Sequence, residues 1–305
     1  MKNLFVIKYN LLLVNLRLVK HILHSIYKII GNNFFILNIL KYSLEKITKI
    51  RSYNEGVDFK IIYKSSLNAP KISILCPTRK RPENVFRLLE SIKSTALNFE
   101  SVEILFYVDE DDCLIQSLFA TKEFNKFSKN ITVISGKRIL LSEMWNICYQ
   151  KSESDILMQC GDDIVFKTNS WDDFVLNAFE NINDKIVLVH GSDGINTSNF
   201  GTHVFLHRNW CEAVGYLIPP YFSSDYSDLW LNEIATCIGR KLYVPILTEH
   251  LHPANLKADY DMNYYENLRR GVRDNVKLLY DITKKERDID MLKLKLKIIE
   301  SALKN

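Results

Sequence analysis

The sequence predicts an α/β protein in which a mostly parallel sheet is flanked by helices, with further helical segments at both ends of the chain. Short apolar runs of strand length alternate with stretches whose apolar residues recur at helical spacing. Polar clusters follow three of the predicted strands, and ligands bind at such strand ends in sheets of this class. With 305 residues, 47% of them hydrophobic, the chain can bury a substantial core.

The strands are predicted from continuous apolar runs, which are typical of strands buried on both faces. Pro77 ends the first run, and acidic residues end the second and the fourth. The five predicted strands cover residues 71–76, 102–108, 131–134, 155–159 and 186–190.

The helices between these strands are predicted from apolar residues three and four positions apart. Pro82 suits the first turn of the first helix, and a second helical stretch lies near residues 114–127. The apolar faces are marked by Val85, Leu88, Leu89 and Ile92, then by Leu141, Met144, Trp145 and Cys148, and then by Trp171, Phe174, Val175 and Ala178. Strands that alternate with helices in this way predict parallel pairing.

The charge distribution predicts three parts. Net charge is +8 over residues 1–54, −8 over residues 55–263 and +4 over residues 264–305. We expect a basic amphipathic helical extension, a central α/β domain and a C-terminal helical tail. The overall charge of +4 argues against a nucleic-acid partner bound by bulk charge, and the acidic centre suits carboxylates gathered around a metal ion.

Residues 1–54 are apolar at helical spacing but are interrupted by cations (Lys8, Arg17, Lys20 and Lys28). No stretch of about 18 uncharged apolar residues is present, as a spanning helix needs, and no signal-peptide cleavage site follows. Two interpretations remain open: helices packed on the main domain, or peripheral contact with an anionic membrane. The expected location is the cytoplasm, with association at the cytoplasmic membrane face as the alternative.

The tail carries five apolar residues at heptad spacing: Ile289, Leu292, Leu296, Ile299 and Leu303. This pattern predicts a helix that either forms a homodimer or packs against the N-terminal helices.

Missing motifs argue against several classes of site. No GxGxxG, GxxxxGK[ST] or GxSxG motif is present, which disfavours Rossmann dinucleotide-binding, P-loop and α/β-hydrolase sites. The six cysteines include no CxxC pair, so we expect buried free thiols in a reducing compartment.

Cations and acids follow the first two strands. Thr78, Arg79 and Arg81 follow the first, and arginine side chains suit phosphate or planar base recognition. Asp109 and Asp111 follow the second, where a carboxylate can accept hydrogen bonds from a ribose or a base. The alternative is a pair of surface turns with helix-capping acids.

A metal site is the hypothesis for the fourth strand. Asp162 and Asp163 follow it, and adjacent carboxylates repel each other unless a cation joins them. His250 and His252 lie two residues apart in a later extended segment and can face the same side, so one imidazole can complete the site. A solvated turn and structural histidines are the alternatives.

Asp225 and Asp228 lie next to a predicted helix start. An aspartate at this position is often only a cap, and the functional alternative is a general base. Six aromatic residues of the segment 190–226 can stack on sugar rings or pack in the core: Phe205, Trp210, Tyr216, Tyr221, Phe222 and Tyr226.

Over about residues 70–253 the chain resembles glycosyltransferases of the GT-A fold, especially the inverting family 2 type. The similarity rests on the order of the segments KISILCPTRKRP, VEILFYVDEDD, ISGKRILLSEMWN, DILMQCGDDIVF, HGSDG, FLHRNWCEAVGY, SSDYSDLWL, GRKLYVP and EHLHP. It implies a hexosyltransferase-like enzyme that uses a nucleotide-sugar donor, with a UDP-sugar favoured, a divalent Mn²⁺ or Mg²⁺ ion, and a carbohydrate or glycoconjugate acceptor.

The resemblance also implies residue roles. Asp163 and His250 would hold the metal, and Asp228 would be the base, with Asp225 as its competitor. The nucleotide-binding residues would be Thr78, Arg79, Arg81, Asp109, Asp111, Arg138, Asn146 and Asp162. The chain departs from the family in having Gly-Asp-Asp in place of Asp-x-Asp and in lacking the Glu-Asp pair of the base motif. A nucleotidyltransferase and an inactive sugar-binding module remain the alternative functions.

Overall fold

The computed structural model describes residues 57–303. Within this range the strands form one sheet in the order β1-β4-β3-β2-β5-β8-β7-β9-β6. The strands are β1 (Phe59–Tyr63), β2 (Ile72–Thr78), β3 (Val102–Asp109), β4 (Ile131–Gly136), β5 (Ile156–Gln159), β6 (Ile164–Phe166), β7 (Leu188–Ser192), β8 (Val204–His207) and β9 (Lys241–His250).

Helices cover both the connections and the C-terminal part of the chain. They are α1 (Pro82–Thr95), α2 (Cys113–Leu118), α3 (Leu141–Lys151), α4 (Trp171–Glu180), α5 (Arg208–Val214), α6 (Ser227–Cys237), α7 (Met262–Arg273), α8 (Val276–Ile282) and α9 (Lys284–Ala302). Short 3₁₀ turns lie at Phe99–Ser101, Phe124–Asn130 and Pro253–Asn255. The α/β class predicted from the sequence is confirmed over these residues.

The centre of the sheet is parallel and fully buried. Strands β4, β3, β2 and β5 pair in parallel, with Ile74 of β2 opposite Ile104 of β3 and Met158 of β5. All residues of these four strands are buried, as their continuous apolar runs predict. Their carboxyl ends therefore lie along one edge of the sheet.

The outer strands make the sheet more mixed than predicted. Strand β1 is antiparallel to β4, β8 is antiparallel to β5 and β7, and β6 is antiparallel to β9, whereas β7 and β9 are parallel. Only residues 193–203 separate β7 from its antiparallel neighbour β8, which is shorter than the crossover of a dozen or more residues that parallel neighbours need.

The C-terminal helices pack on the rest of the described chain. Helix α9 contacts α5 and α6, with Ile289 and Leu294 buried. Leu292, Ile299 and Leu303 of the predicted heptad are exposed. The predicted boundary at residue 263 falls within α7, and the division into three parts stays a prediction. Residues 1–54 lie outside the described residues. No helix in the range 57–303 is long and apolar enough to cross a membrane.

Candidate active site

A cavity of about 430 Å³ lies at the carboxyl ends of the parallel strands. The segments after β2, β3 and β5 form its floor. The start of α6, the end of β9 and one face of α7 form its walls. All three polar clusters predicted from the sequence thus border one cavity, because parallel strands end at the same edge.

Arg79 joins the acids that follow β3. Its guanidinium donates to Asp109 Oδ2 at 2.8 Å and to both oxygens of Asp111 at 2.6 and 2.9 Å. The hydrogen bond from Arg79 lowers the pKa of the exposed Asp111 to about 2. Burial raises the pKa of Asp109 despite its arginine neighbours, and its Oδ1 atom is buried without a partner in the described part of the chain. Asp109 Oδ1 is therefore free to accept a hydrogen bond from a ligand, whereas both oxygens of Asp111 accept hydrogen bonds from Arg79.

The two acids after β5 have different environments. Asp162 accepts hydrogen bonds from Thr78 Oγ1 at 2.8 Å and from Arg81 Nη1 at 3.1 Å, and burial raises its pKa to about 6. Asp163 Oδ2 lies 3.5 Å from His250 Nε2 and 3.7 Å from Arg81 Nη1. Burial opposes its ionisation, but His250 outweighs burial and holds the pKa of Asp163 at about 2. Asp163 is thus an ionised carboxylate next to an imidazole.

The Asp163–His250 pair fits a metal site that is completed by substrate. Metal bonds of about 2.1 Å from each atom are compatible with the 3.5 Å between Asp163 Oδ2 and His250 Nε2. No group of three or more His, Cys, Asp or Glu side chains within residues 57–303 is arranged to hold a metal ion. One or two carboxylates together with substrate phosphates and water are a common donor set for a hard divalent ion, and a neutral imidazole can act as a further ligand. Asp162 is less suited because both of its oxygens already accept hydrogen bonds.

His203, which the sequence patterns do not predict as a site residue, borders the same cavity. Its ring lies 5.1 Å from that of His250, and its Nδ1 atom is buried without a partner in the described chain. Burial and the neighbouring His250 lower its pKa to about 3, which keeps the imidazole neutral. A single histidine in FGTHVF gives no sequence pattern that would have identified it. His252 also borders the cavity, with Nδ1 accepting from Ala254 N.

Asp228 lies in the first turn of α6. Its Oδ1 accepts from Leu229 N at 2.8 Å, and it forms no ion pair with any of residues 57–303. Burial, together with the charge of Asp225, raises its pKa to about 6. Asp225 also borders the cavity but is exposed. An unpaired carboxylate with a raised pKa is suited to accept a proton.

Two other predicted binding residues differ in their placement. Arg138 borders the cavity, 2.6 Å from Glu266 and 3.7 Å from Asp109. Asn146 does not border the cavity, and its nucleotide role stays a prediction. Its amide donates to Ile218 O at 2.7 Å and accepts from Leu217 N and Ile218 N at 3.0 Å. Asn146 therefore holds a buried loop.

The predicted sugar-stacking aromatics are not in the cavity wall. Phe205, Trp210, Tyr216 and Phe222 are buried in the protein interior, and Tyr221 and Tyr226 pack against Trp230 and Tyr280 respectively. None of the six borders the cavity. The aromatic side chains that do border it are Trp145 and Tyr264.

Helix α7 supplies a wall that the sequence did not predict. Asp261, which caps α7, forms a two-bond pair with Arg81 at 2.6 and 2.8 Å, and the Asn263 side chain donates to the Arg79 carbonyl. Near the other end of α7, the Arg270 guanidinium donates to Ile139 O. These contacts join residues more than a hundred positions apart in the sequence, so no local sequence pattern predicts them.

No protein-family model matches the sequence, and no curated protein matches it. Solved structures do match. The mannosyltransferase PcManGT from Pyrobaculum calidifontis, in complex with GDP-Man and Mn²⁺, has a TM-score of 0.50 and 11% identity over 88% of this chain and 85% of that chain. S. aureus TarS 1–349 in complex with UDP-GlcNAc has a TM-score of 0.47 and 13% identity over 65% of this chain and 64% of that chain. The first likeness shows a fold shared with a glycosyltransferase, as expected for the predicted GT-A-type sheet.

Proposed function

We propose that this chain is a metal-dependent glycosyltransferase that moves a sugar from a nucleotide-sugar donor to an acceptor hydroxyl with inversion. The observation that carries the proposal is the pairing of two features in one cavity. The ionised carboxylate of Asp163, next to the His250 imidazole, lies in the same cavity as the unpaired Asp228, whose pKa is raised to about 6. One feature suits a bridging cation and the other suits a base.

The nucleoside is assigned to the ends of β2, β3 and β4. Asp109 offers a single acceptor, Oδ1, because Oδ2 already accepts from Arg79. Uracil presents one N–H between two carbonyl oxygens, which matches the single free carboxylate oxygen of Asp109, and Arg138 lies nearby, with its Nε 3.7 Å from Asp109 Oδ2. Guanine would present two adjacent N–H donors and would need both oxygens of Asp109. We therefore favour a UDP-sugar.

The diphosphate is assigned to the segment after β5. A divalent cation held by Asp163 and His250 would stabilise the charge that develops on the departing nucleoside diphosphate. Arg81 holds Asp162 and lies 3.7 Å from Asp163, so it orients both carboxylates. Thr78 supports the same arrangement through its hydrogen bond to Asp162.

Asp228 is assigned the proton transfer. Its carboxylate accepts the proton of the acceptor hydroxyl while the oxygen attacks the anomeric carbon and the bond to the diphosphate breaks. The transition state resembles an oxocarbenium ion. A carboxylate with a pKa near 6 is a stronger base than a free aspartate and is still mostly ionised at neutral pH.

Thermal unfolding with UDP, GDP and CMP, each with and without Mn²⁺, tests the proposal. A ligand at about a hundred times its Kd adds about 2.7 kcal/mol to the free energy of unfolding, which is several degrees for a chain of this size. We expect stabilisation by UDP that requires Mn²⁺ and is lost in Asp163→Asn. An unchanged midpoint with every nucleotide would contradict the proposal.

A further inference from the structure

The arginines of the cavity differ in how their charge is balanced. Three of the four are paired with carboxylates: Arg79 with Asp109 and Asp111, Arg81 with Asp162 and Asp261, and Arg138 with Glu266. Arg270, on α7, forms no ion pair with any carboxylate of residues 57–303. Of the four cavity arginines, Arg270 is therefore the one whose positive charge is left for an anionic ligand to neutralise.

The surroundings of Arg270 make this imbalance costly. The side chain is half-buried, and one of its N–H groups donates to Ile139 O. Burial, with the nearby Arg138, lowers the pKa of Arg270. A partly desolvated cation beside a second cation is unfavourable unless an anion joins them. The fork of N–H donors on a guanidinium matches the oxygens of a phosphate group.

Ser224 is a second polar group of the cavity wall, and it lies against the same helix. It is 5% exposed and borders the cavity, and its Oγ atom is buried without a hydrogen-bond partner in the described chain. A Cβ atom on Gly271, the residue after Arg270, would lie 2.7 Å from Ser224 Oγ. The absence of a side chain at Gly271 therefore lets α7 approach Ser224 closely.

We propose that Arg270 and Ser224 form a phosphate-binding subsite of the cavity. The charged groups that act most on Arg270 are Arg138, Asp109, Arg273 and Glu266, and neither Asp163 nor His250 is among them. Its phosphoryl group comes either from the nucleotide donor or from a phosphorylated acceptor. The donor alternative rests on the proposed function, whereas phosphate binding itself does not.

Isothermal titration of the full chain in Mg²⁺ buffer tests the subsite, with uridine, UMP, UDP and inorganic phosphate as probes. The variants are Arg270→Gln and Ser224→Ala, and the matched control is Arg269→Gln, because Arg269 is the exposed neighbour on the same helix and does not border the cavity. If the donor supplies the phosphate, Arg270→Gln weakens UDP binding about tenfold or more and leaves uridine binding unchanged.

If the acceptor supplies the phosphate, UDP binding is unchanged in Arg270→Gln, and inorganic phosphate binds the wild type but not the variant. Equal affinity of wild type and Arg270→Gln for every probe overturns the proposal. Failure of the wild type to bind uridine, UMP and UDP overturns the proposed function instead, and the phosphate titration then still decides the subsite.

Discussion

At the scale of single residues, the candidate base is separated from its competitor by burial. The sequence left Asp225 and Asp228 as alternatives, because both lie near a helix start. In the structure Asp225 is exposed, whereas Asp228 is partly buried, unpaired in the described chain and has a raised pKa. Spacing alone could not make this distinction, since the raised pKa depends on walls that other elements supply.

Replacing Asp228 with Asn should remove turnover while preserving donor binding. We expect nucleotide release from the donor sugar to fall by about 10²- to 10⁴-fold, with the Kd for UDP within a factor of about two, because the base does not contact the nucleotide. Asp225→Asn is the matched control and should keep most of the activity at neutral pH. Near-normal turnover in Asp228→Asn would show that the base has been wrongly assigned.

The rate should depend on pH through Asp228. Its raised pKa means that the carboxyl is protonated, and unable to accept a proton, below a pH of about 6. We expect kcat/KM to rise with pH through this value and then to level. Because the charge of Asp225 helps to raise this pKa, Asp225→Asn should move the acid limb to lower pH. If the acid limb of kcat/KM lies at the same pH in the wild type and in Asp225→Asn, the charge of Asp225 does not raise the pKa of Asp228.

At the scale of elements, the buried strands and their shared edge were predictable, whereas the wall made by α7 was not. Continuous apolar runs in the sequence predict β2 to β5, because strands that are buried on both faces of the sheet are apolar along their whole length. The contacts of α7 join Arg81 to Asp261 and Arg270 to Ile139. Such contacts depend on how elements distant in the sequence pack together. The apolar periodicity of either segment alone therefore cannot predict them.

Asn146 gives a second test at this scale, because the family resemblance and the structure assign it different roles. Asn146→Ala removes one donor and two acceptor contacts to the 217–218 backbone. We expect a loss of about 1–3 kcal/mol in the free energy of unfolding by urea, with UDP affinity unchanged. Asn177→Ala, at an exposed helix position, is the control. A selective loss of UDP affinity would support the nucleotide role instead.

At the scale of the whole molecule, the C-terminal helix contributes to the stability of the unit that carries the site. Arg287 of α9 lies 5.0 Å above the Trp230 ring and 2.9 Å from Glu233, both on α6, the helix that begins beside Asp228. The heptad in the sequence suggested a dimer or an N-terminal partner. Helix α9 contacts α5 and α6 with Ile289 and Leu294 buried, whereas Leu292, Ile299 and Leu303 stay exposed, so both interpretations of the heptad stay predictions.

Leu294 and Leu292 separate these interpretations. Leu294 is fully buried and Leu292 is 45% exposed. Leu294→Ala should lower the free energy of unfolding by about 2–5 kcal/mol, whereas Leu292→Ala should change it by less than about 0.5 kcal/mol. Chemical denaturation of both variants at two protein concentrations measures this. A larger loss for Leu292→Ala that depends on concentration would favour the dimer.

The most direct test of the account is the fate of a nucleotide sugar in the cavity. Proton NMR can follow UDP-, GDP- and CMP-sugars with the protein and Mg²⁺, with water as the acceptor, and can identify the anomer that forms first. We predict release of UDP from a UDP-sugar, a first product of inverted anomeric configuration, and loss of both in Asp228→Asn. Absence of release from every donor, or a first product with retained configuration, would contradict the account.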